Sequence, residues 1–375
     1  MRRNTGKRGD RTTVKIPFQK EGSLLLWGAF LLSAALFLAL TGCGGPSKKD
    51  VSDEAERSIF AMDTVMSIHV FGEGKDEAVD ASAEAAADAA VEEIQRLEDL
   101  LSATQEDSEI GVLNRKKTVK ASEDTLTLIR RALEIGRETD ARFNIAVYPL
   151  IKAWGFPDRD YRIPSGEELD ELLPAADLFF IQIDENSGTI VLTDDRTEID
   201  LGGIAKGYTS ACLMELFRDK GIEHAIVSLG GNVQVLGTKP DGDPWRIGIE
   251  DPLKQGDLLG ILETADCAVV TSGGYERYFE EDGKKYHHIL NPADGYPADS
   301  GLVSATVISP DGTLADALST ALFVMGKESA ITFWQKHAGE FDFILLDDEG
   351  MLWVSEGLED IFMTARQEQI VEKMS

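Results

Sequence analysis

Apolar residues recur along the chain at two spacings, and each spacing predicts a different element. Between Thr64 and Val70 apolar and polar residues alternate, which is typical of a half-buried strand. From Ala78 to Leu101 apolar residues recur at helical spacing in an alanine-rich, acidic segment, which predicts a long amphipathic helix. A second helix is predicted from Ser122 to Thr139. The first part of the folded chain is therefore expected to place a strand before two helices.

From Thr189 to Ser309 the pattern changes to short β-rich runs separated by glycines and Asp-Gly pairs. Such punctuation predicts mixed or antiparallel sheets instead of repeated βαβ units. Strands are predicted at 189–192, 225–228, 245–249, 268–271 and 302–308, and helices at 205–217 and 313–325. The predicted fold class is α+β, with mixed or largely antiparallel sheets and packed helices.

The segment before residue 58 lacks this organisation. A basic stretch precedes the apolar run from Leu24 to Leu40, and Thr41-Gly42-Cys43 follows. This order is typical of a secretory signal, and it resembles the lipobox of bacterial lipoproteins. We therefore expect residues 1–42 to be a signal peptide, Cys43 to carry lipid, and residues 43–57 to form a flexible tether to a domain at 58–370. The alternative is a retained anchor helix with an incidental cysteine. Either arrangement places the domain at the outer face of the cytoplasmic membrane.

The net charge limits the possible partners, and the cysteines indicate which cross-links and metal sites to expect. The chain of 375 residues has a formal net charge of -30, which argues against nucleic acid as a partner. An anionic ligand would need a local cation, a lysine or backbone N–H groups, because the overall field repels it. Besides Cys43 there are Cys212 and Cys267, each with apolar neighbours, so free buried thiols are favoured over a disulfide. The cysteine spacing does not indicate structural zinc.

A paired-glycine turn within the segment from Asp200 to Tyr208 precedes a predicted helix. Glycines allow the backbone to approach a ligand closely, while the helix N-terminus and Lys206 offer positive potential to a phosphate. The segment is neither a P-loop, since Lys206 is not followed by Ser or Thr, nor a GxGxxG motif. Taken alone, it is equally compatible with a glycine turn that carries a surface lysine.

Asp316 and Thr320 lie four residues apart in a predicted helix, so a carboxylate and a hydroxyl share one face. Hard divalent cations such as Mg²⁺ prefer oxygen ligands of this kind. The alternative is an aspartate that complements the helix dipole beside an ordinary threonine.

His287 and His288 follow each other in a predicted strand, so their side chains should point to opposite faces and cannot share a metal ion. One of them could face a pocket, as a proton donor or acceptor or as a phosphate ligand. Both could also be ordinary strand histidines. The bend from Ser228 to Val233 is interpreted as a structural glycine turn between strands.

The order of these segments resembles one family. They are 61–66, 107–114, 139–144, 200–208, 228–233, 286–297 and 316–320. Together they resemble the FAD:protein FMN transferases of the ApbE family over nearly everything after the tether. The resemblance implies an α+β fold and a Mg²⁺-dependent, phosphotransferase-type enzyme. Such an enzyme splits FAD, passes the FMN half to a Thr or Ser hydroxyl of an extracytoplasmic flavoprotein, and releases AMP.

The resemblance also implies roles for individual residues. Asp316, Thr320 and the backbone carbonyl of Gly203 would bind Mg²⁺. Lys206, beside the ion, and His288, near the pyrophosphate, would be the catalytic residues and would also contact FAD. The remaining positions that match the FAD site are Met62, Thr104, Arg142, Phe143, Asn144 and Asp200. Two of these depart from the family, since many members have an aspartate at the position of Asn144 and a tyrosine at that of Thr104.

Other functions remain open at this stage. The nearest is a Mg²⁺-dependent FAD pyrophosphatase that gives free FMN and AMP, and Thr104 leaves that choice open. A flavin-binding or solute-binding lipoprotein without catalysis is a more distant alternative, because two βαβ-rich lobes are absent. A purely structural lipoprotein would have no need for Asp316, Thr320 and Lys206 together. The acceptors that the resemblance suggests are subunits of Na⁺-translocating (Nqr) or Rnf-type electron-transfer complexes and flavin-dependent reductases.

Overall fold

The structure, a computed structural model, describes residues 54–72 and 77–373, with side chains from residue 82 onward in the second range. The predicted signal peptide, Cys43 and the tether up to residue 53 lie outside these ranges. The first strand begins at Glu54, so residues 54–57 belong to the sheet and not to the tether. Ala55 explains the difference, because it is buried opposite Val70 of the next strand. No helix within the described ranges is both long enough and apolar enough to cross a membrane.

The predicted helices are confirmed to within about two residues. In chain order the helices are α1 (Glu77–Leu101), α2 (Glu109–Lys116), α3 (Glu123–Glu138), α4 (Tyr148–Ala153), α5 (Gly166–Leu172), α6 (Ala205–Asp219), α7 (Gly312–Met325) and α8 (Lys327–Lys336). Ser122 caps α3 by accepting the N–H of Thr125, and Asp311 caps α7 by accepting that of Leu314. The unpredicted α2, α4, α5 and α8 are short, so their apolar periodicity is weak.

Antiparallel pairing dominates the sheets, which confirms the predicted fold class. The strands are β1 (Glu54–Ala61), β2 (Thr64–Phe71), β3 (Thr118–Lys120), β4 (Ile181–Asp184), β5 (Thr189–Leu192), β6 (His224–Leu229), β7 (Asn232–Leu236), β8 (Trp245–Glu250), β9 (Leu258–Thr264), β10 (Ala268–Gly273), β11 (Tyr278–Glu281), β12 (Lys284–His287), β13 (Leu302–Ser309), β14 (Asp342–Asp347), β15 (Leu352–Ser355), β16 (Phe362–Met363) and β17 (Glu368–Val371). The main sheet has the order β1-β2-β6-β7-β10-β13-β14-β15-β17, and its one parallel pair among the described residues is β15 with β17. Smaller sheets are β16-β9-β8, β3-β5-β4 and the hairpin β11-β12.

Both faces of the main sheet are covered, because alternate residues of each strand point to opposite sides. On β7, Leu236 packs with Met214 and Phe217 of α6. Its neighbour Val235 packs with Trp245 of the small sheet on the other face. Apolar residues therefore cover both faces at the centre of the sheet, and the predicted polar site residues lie at one of its ends.

The two cysteines of the domain are unpaired, as expected from the sequence. Cys267 is buried, whereas Cys212 on α6 is only partly so. Burial raises the pKa of the Cys212 thiol to about 12, so it is not a nucleophile at neutral pH.

Helices α6 and α7 meet in a close crossing at two glycines. A Cβ atom on Gly207 would lie 2.2 Å from the carbonyl oxygen of Gly312 and 2.5 Å from the Cβ of Asp316. The Gly207 N–H donates to Oδ2 of Asp316 at 2.8 Å. The crossing therefore requires a residue without a side chain at position 207.

We expect Gly207→Ala to lower the free energy of unfolding by ~1–3 kcal/mol, because the added methyl group forces the two helices apart. Denaturant-induced unfolding followed by circular dichroism measures this. Gly166→Ala is the matched control, since its added Cβ meets only the Tyr296 hydroxyl oxygen at 3.8 Å. The control should be neutral or slightly stabilising. Equal stability of Gly207→Ala and the wild-type chain would contradict the close crossing.

Candidate active site

The predicted site residues gather at one end of the main sheet. Met62 lies in the turn between β1 and β2, with a left-handed φ of 47°. The turn between β6 and β7 lies against it, since a Cβ on Gly230 would be 2.4 Å from the hydroxyl oxygen of Thr64. Strand β10 also ends here, at Gly273. Turns and strand ends of the sheet thus border the start of α6 and the first turns of α7.

The three predicted metal ligands lie together. Asp316 is 5% exposed and accepts the Gly207 N–H with Oδ2. One helical turn further, the Thr320 hydroxyl lies 3.2 Å from that of Ser272. Gly203 lies beside Thr320, because a Cβ atom placed on it would be 3.7 Å from Oγ1 of Thr320. A carboxylate, a hydroxyl and a glycine turn therefore converge where α6 begins.

This donor set fits magnesium. Mg²⁺ is usually held by one or two carboxylates, with waters and substrate phosphates completing its shell. In the described ranges no three His, Cys, Asp or Glu residues form a cluster suited to a metal ion. Asp316 is the carboxylate of this site, and one of its oxygens is free of the Gly207 bond. The arrangement suits a hard cation shared with a phosphate and does not resemble a thiolate or imidazole site.

Lys206 supplies the positive charge of the site. Burial raises the pKa of the Asp316 carboxyl, and the nearby Lys206 ammonium opposes that rise. Glu276 lies in the same field. Desolvation by the surrounding protein raises the pKa of Glu276 to about 7. The Lys206 ammonium opposes this rise, and the negative charge of Asp316 adds to it. The Glu276 residue is exposed to solvent.

His288 is held in one tautomer. Its Nδ1 lies 3.1 Å from the carbonyl oxygen of Arg277, and a carbonyl can only accept, so Nδ1 carries the hydrogen and Nε2 keeps its lone pair. Burial lowers the pKa of this imidazole to about 4, and the charges of Arg277 and Lys206 act in the same direction. His288 is therefore neutral at pH 7, so its Nε2 is open to a hydrogen bond or a proton and the ring does not bind phosphate as a cation.

Strand β12 ends at His287, so His288 lies just beyond the strand in which both histidines were predicted. The Nε2 of His287 lies 3.1 Å from the carbonyl oxygen of Ala298, and the His287 ring packs against Phe323. His288 instead packs edge-on against Phe156. The two histidines therefore have different surroundings, and His288 alone of the pair is influenced by the charge of Lys206.

Asp200 borders the glycine turn on the other side. Its Oδ2 accepts the N–H of Gly202 at 3.2 Å, burial raises its pKa, and Arg277 opposes the rise. Tyr148 is influenced by the charge of Asp200 and contacts the segment containing Thr104. Burial raises the pKa of Tyr148 to about 12, with Asp200 contributing, and the Tyr148 hydroxyl donates to the carbonyl of Ala103 at 3.4 Å.

Thr104 and Met62 contact residues other than Lys206, His288 and the predicted metal ligands. Thr104 is exposed, and its hydroxyl lies 3.1 Å from that of Ser102. The Met62 N–H donates to Oε1 of Glu98 at 2.7 Å, and its side chain packs against the main core. Their predicted contacts with FAD stay predictions.

The segment from Arg142 to Asn144 supports the glycine turn from behind. Phe143 is buried, and its ring carbon Cε2 would lie 3.3 Å from a Cβ on Gly203. The Asn144 amide is fully used by backbone, because Oδ1 accepts the N–H of Ala146 and Nδ2 donates to the carbonyl of Ala176. Asn144 therefore shapes the chain with its side chain, and Arg142 is the partly exposed member of the three.

Three polar residues near the site were missed by sequence reasoning. Asn232 begins β7 and is 1% exposed, and Ser272 binds the hydroxyls of both Ser319 and Thr320. Glu276 is the third. A signal was present, since Asn232 and Ser272 are polar residues beside glycine pairs at strand ends. Its meaning depends on which strand ends meet in space.

Fold and site together define an α+β enzyme in which oxygen donors suited to a cation lie beside a lysine and a neutral histidine. The sequence pattern of the ApbE family matches residues 62–345. The chain belongs to the ApbE family.

Curated relatives agree with this assignment, and they are transferases. A protein of Klebsiella pneumoniae called FAD:protein FMN transferase is 37% identical over 239 residues, 63% of this chain and 74% of the relative. A protein of the same name from Treponema pallidum is 33% identical over 296 residues, 72% of this chain and 81% of the relative. The crystal structure of the ApbE protein from Thermotoga maritima superposes with a TM-score of 0.76 at 33% identity, covering 82% of this chain and 99% of that one.

We expect His288 to remain neutral and in its Nδ1–H form down to acid pH. Nitrogen-15 chemical shifts of labelled imidazoles, recorded between pH 8 and pH 4, report both tautomer and protonation. The midpoint should fall near pH 4 and not near 6.5, because enclosure by the protein disfavours the imidazolium. A His288→Gln variant identifies the signal. An Nε2–H tautomer, or a midpoint above pH 6, would contradict the assignment.

Proposed function

We propose that this chain transfers the FMN half of FAD to a Thr or Ser hydroxyl of an extracytoplasmic flavoprotein, with Mg²⁺ dependence and release of AMP. The names of the curated relatives support the FAD and FMN part. The observation that carries the proposal is the convergence of Gly203, Asp316 and Thr320 on one point beside Lys206. His288, neutral and with an unprotonated Nε2, is influenced by that charge and is the proton acceptor that we assign.

The chain contributes mainly position and charge, as phosphoryl transfer requires. Lys206 offsets phosphate charge that the acidic body of the protein would otherwise repel. The first-turn N–H groups of α6 add positive potential at the same place. Gly203, Asp316 and Thr320 would hold the metal ion, which supplies charge stabilisation on the pyrophosphate oxygens when bound.

The proposed step conserves atoms and charge. The acceptor hydroxyl oxygen attacks the phosphorus of the FMN half, and a new P–O ester bond forms. The bond from that phosphorus to the bridging oxygen breaks, and AMP leaves with the oxygen. The hydroxyl proton passes to Nε2 of His288, whose Nδ1–H bond to Arg277 fixes the ring in the accepting orientation.

We propose further that Cys43 is lipidated and holds the enzyme at the outer face of the cytoplasmic membrane, beside its acceptors. The sequence from Leu24 to Cys43 supports this. Flavin-binding subunits of Nqr or Rnf-type complexes and flavin-dependent reductases are the acceptors that we propose. Metabolic labelling with an alkyne fatty acid should mark the wild-type chain but not Cys43→Ser. A labelled Cys43→Ser variant would contradict this assignment.

Asp316→Ala should abolish Mg²⁺-dependent release of AMP from FAD, because the site loses its carboxylate. Chromatographic measurement of AMP at several Mg²⁺ concentrations tests this. Asp348→Ala, in an exposed turn, is the control and should retain full release. Unchanged release by Asp316→Ala would remove Asp316 from the metal site.

Transfer and hydrolysis are separated by the fate of FMN. The full chain is incubated with FAD, Mg²⁺ and a purified flavin-binding subunit of an Nqr or Rnf-type complex. We expect a fluorescent, covalently labelled acceptor that forms in step with AMP. Replacement of the acceptor's Thr or Ser by Ala should remove the label. Free FMN and AMP without any labelled acceptor would favour the pyrophosphatase instead.

A further inference from the structure

A buried amide beside the Asp316 carboxylate is not fully used by the fold. Asn232 is 1% exposed and begins β7 directly after the Gly230-Gly231 turn. It shares with Leu236 the face of β7 that is turned towards α6. Its amide approaches Asp316 and lowers the pKa of that carboxyl, as a weak hydrogen-bond donor would. The contact does not reach hydrogen-bonding geometry, so Nδ2 makes no good hydrogen bond among the described residues.

The Oδ1 atom of the same amide also lacks a good hydrogen-bond donor. The Ser210 hydroxyl has a single hydrogen, and three oxygens lie within its reach. They are Gln234 Oε1 at 2.6 Å, the Gly207 carbonyl at 3.0 Å and Asn232 Oδ1 at 3.4 Å. The shortest contact takes the hydrogen, so Oδ1 of Asn232 receives none. In this orientation neither end of the Asn232 amide makes a good hydrogen bond.

Rotation of the Asn232 amide by a half-turn would change which hydrogen bonds its two ends can make. Nδ2 would then donate to Oγ of Ser210, which still gives its own hydrogen to Gln234. Oδ1 would face the carboxylate of Asp316. Two oxygens facing each other in a buried site repel, unless a cation lies between them. The rotated amide is therefore stable only when the cation site beside Asp316 is filled.

We propose that Asn232 supplies a fourth protein oxygen to the cation site of Gly203, Asp316 and Thr320, by turning its Oδ1 towards the ion. The inference rests on the magnesium site of the proposed function and extends it. It explains why a buried amide with an unpaired Nδ2 stands beside the site carboxylate. An amide oxygen is a ligand suited to the same hard cations as a carboxylate or a hydroxyl.

Metal binding by the full chain tests the proposal without any turnover. Mn²⁺, added without FAD and followed by electron paramagnetic resonance, reports bound and free ion directly. We expect Asn232→Ala to bind Mn²⁺ at least ~10-fold more weakly than the wild-type chain. Equal affinity would overturn the role of Asn232 and leave the magnesium site standing. A wild-type chain that binds no Mn²⁺ would overturn the magnesium part of the proposed function and this proposal with it.

Asn232→Asp separates a ligand from a merely structural residue. It keeps an oxygen towards the ion but places a second carboxylate beside Asp316, so the metal-free protein should unfold at a lower temperature. Added Mg²⁺ should then raise its unfolding temperature more than it raises that of the wild-type chain.

Asn186→Asp, on an exposed turn, adds the same charge elsewhere and should respond to Mg²⁺ like the wild-type chain. If Asn232→Asp responds no more strongly than this control, Asn232 has only a packing role and the proposal is wrong. If Asn232→Ala does not fold, the comparison of Asn232→Asp with Asn186→Asp decides whether Asn232 is a ligand.

Discussion

The hydrogen bond from the Gly207 N–H to the Asp316 carboxylate is the contact on which the site depends. Gly207 lies in the first turn of α6, where N–H groups have no carbonyl partner within their own helix. Ile204, which precedes the helix, provides no capping side chain, so Asp316, 109 residues after Gly207, caps α6. The same bond brings the glycine turn onto α7. Helix stability and site geometry thus rest on one buried carboxylate.

The electrostatics of the site follow from that burial. A protein with a net charge of -30 must create a local region that tolerates an anion. Lys206 and the N-terminus of α6 provide it, and both are carried to Asp316 by the helix crossing. Burial raises the pKa of both Asp316 and Glu276, and the Lys206 ammonium opposes both shifts. A cation bound beside Asp316 would stabilise its buried negative charge further, which gives the oxygen-rich site a physical reason to be filled.

The position of His288 depends on a second group of contacts. Phe279 and Tyr286 of the β11-β12 hairpin stack on each other and pack against Trp154 of the α4 region. The Arg277 carbonyl, just before the hairpin, accepts both the backbone N–H and Nδ1 of His288. The Arg277 carbonyl therefore fixes the tautomer of His288, while Phe156 joins the His288 ring to the aromatic cluster around Phe279. Neutrality and orientation of the imidazole arise from the same enclosure.

The sequence by itself determined the long helices and central strands, because their periodicity is local and strong. It also brought Asp316 and Thr320 together, since four residues of one helix place both on one face. Only the tertiary structure decided that Asn144 binds backbone, that Asn232 and Ser272 belong to the site, and that β1 begins before Ser58. Each of these depends on contacts between residues distant in the chain, and a local pattern of polar and apolar positions carries no information about which distant groups will meet.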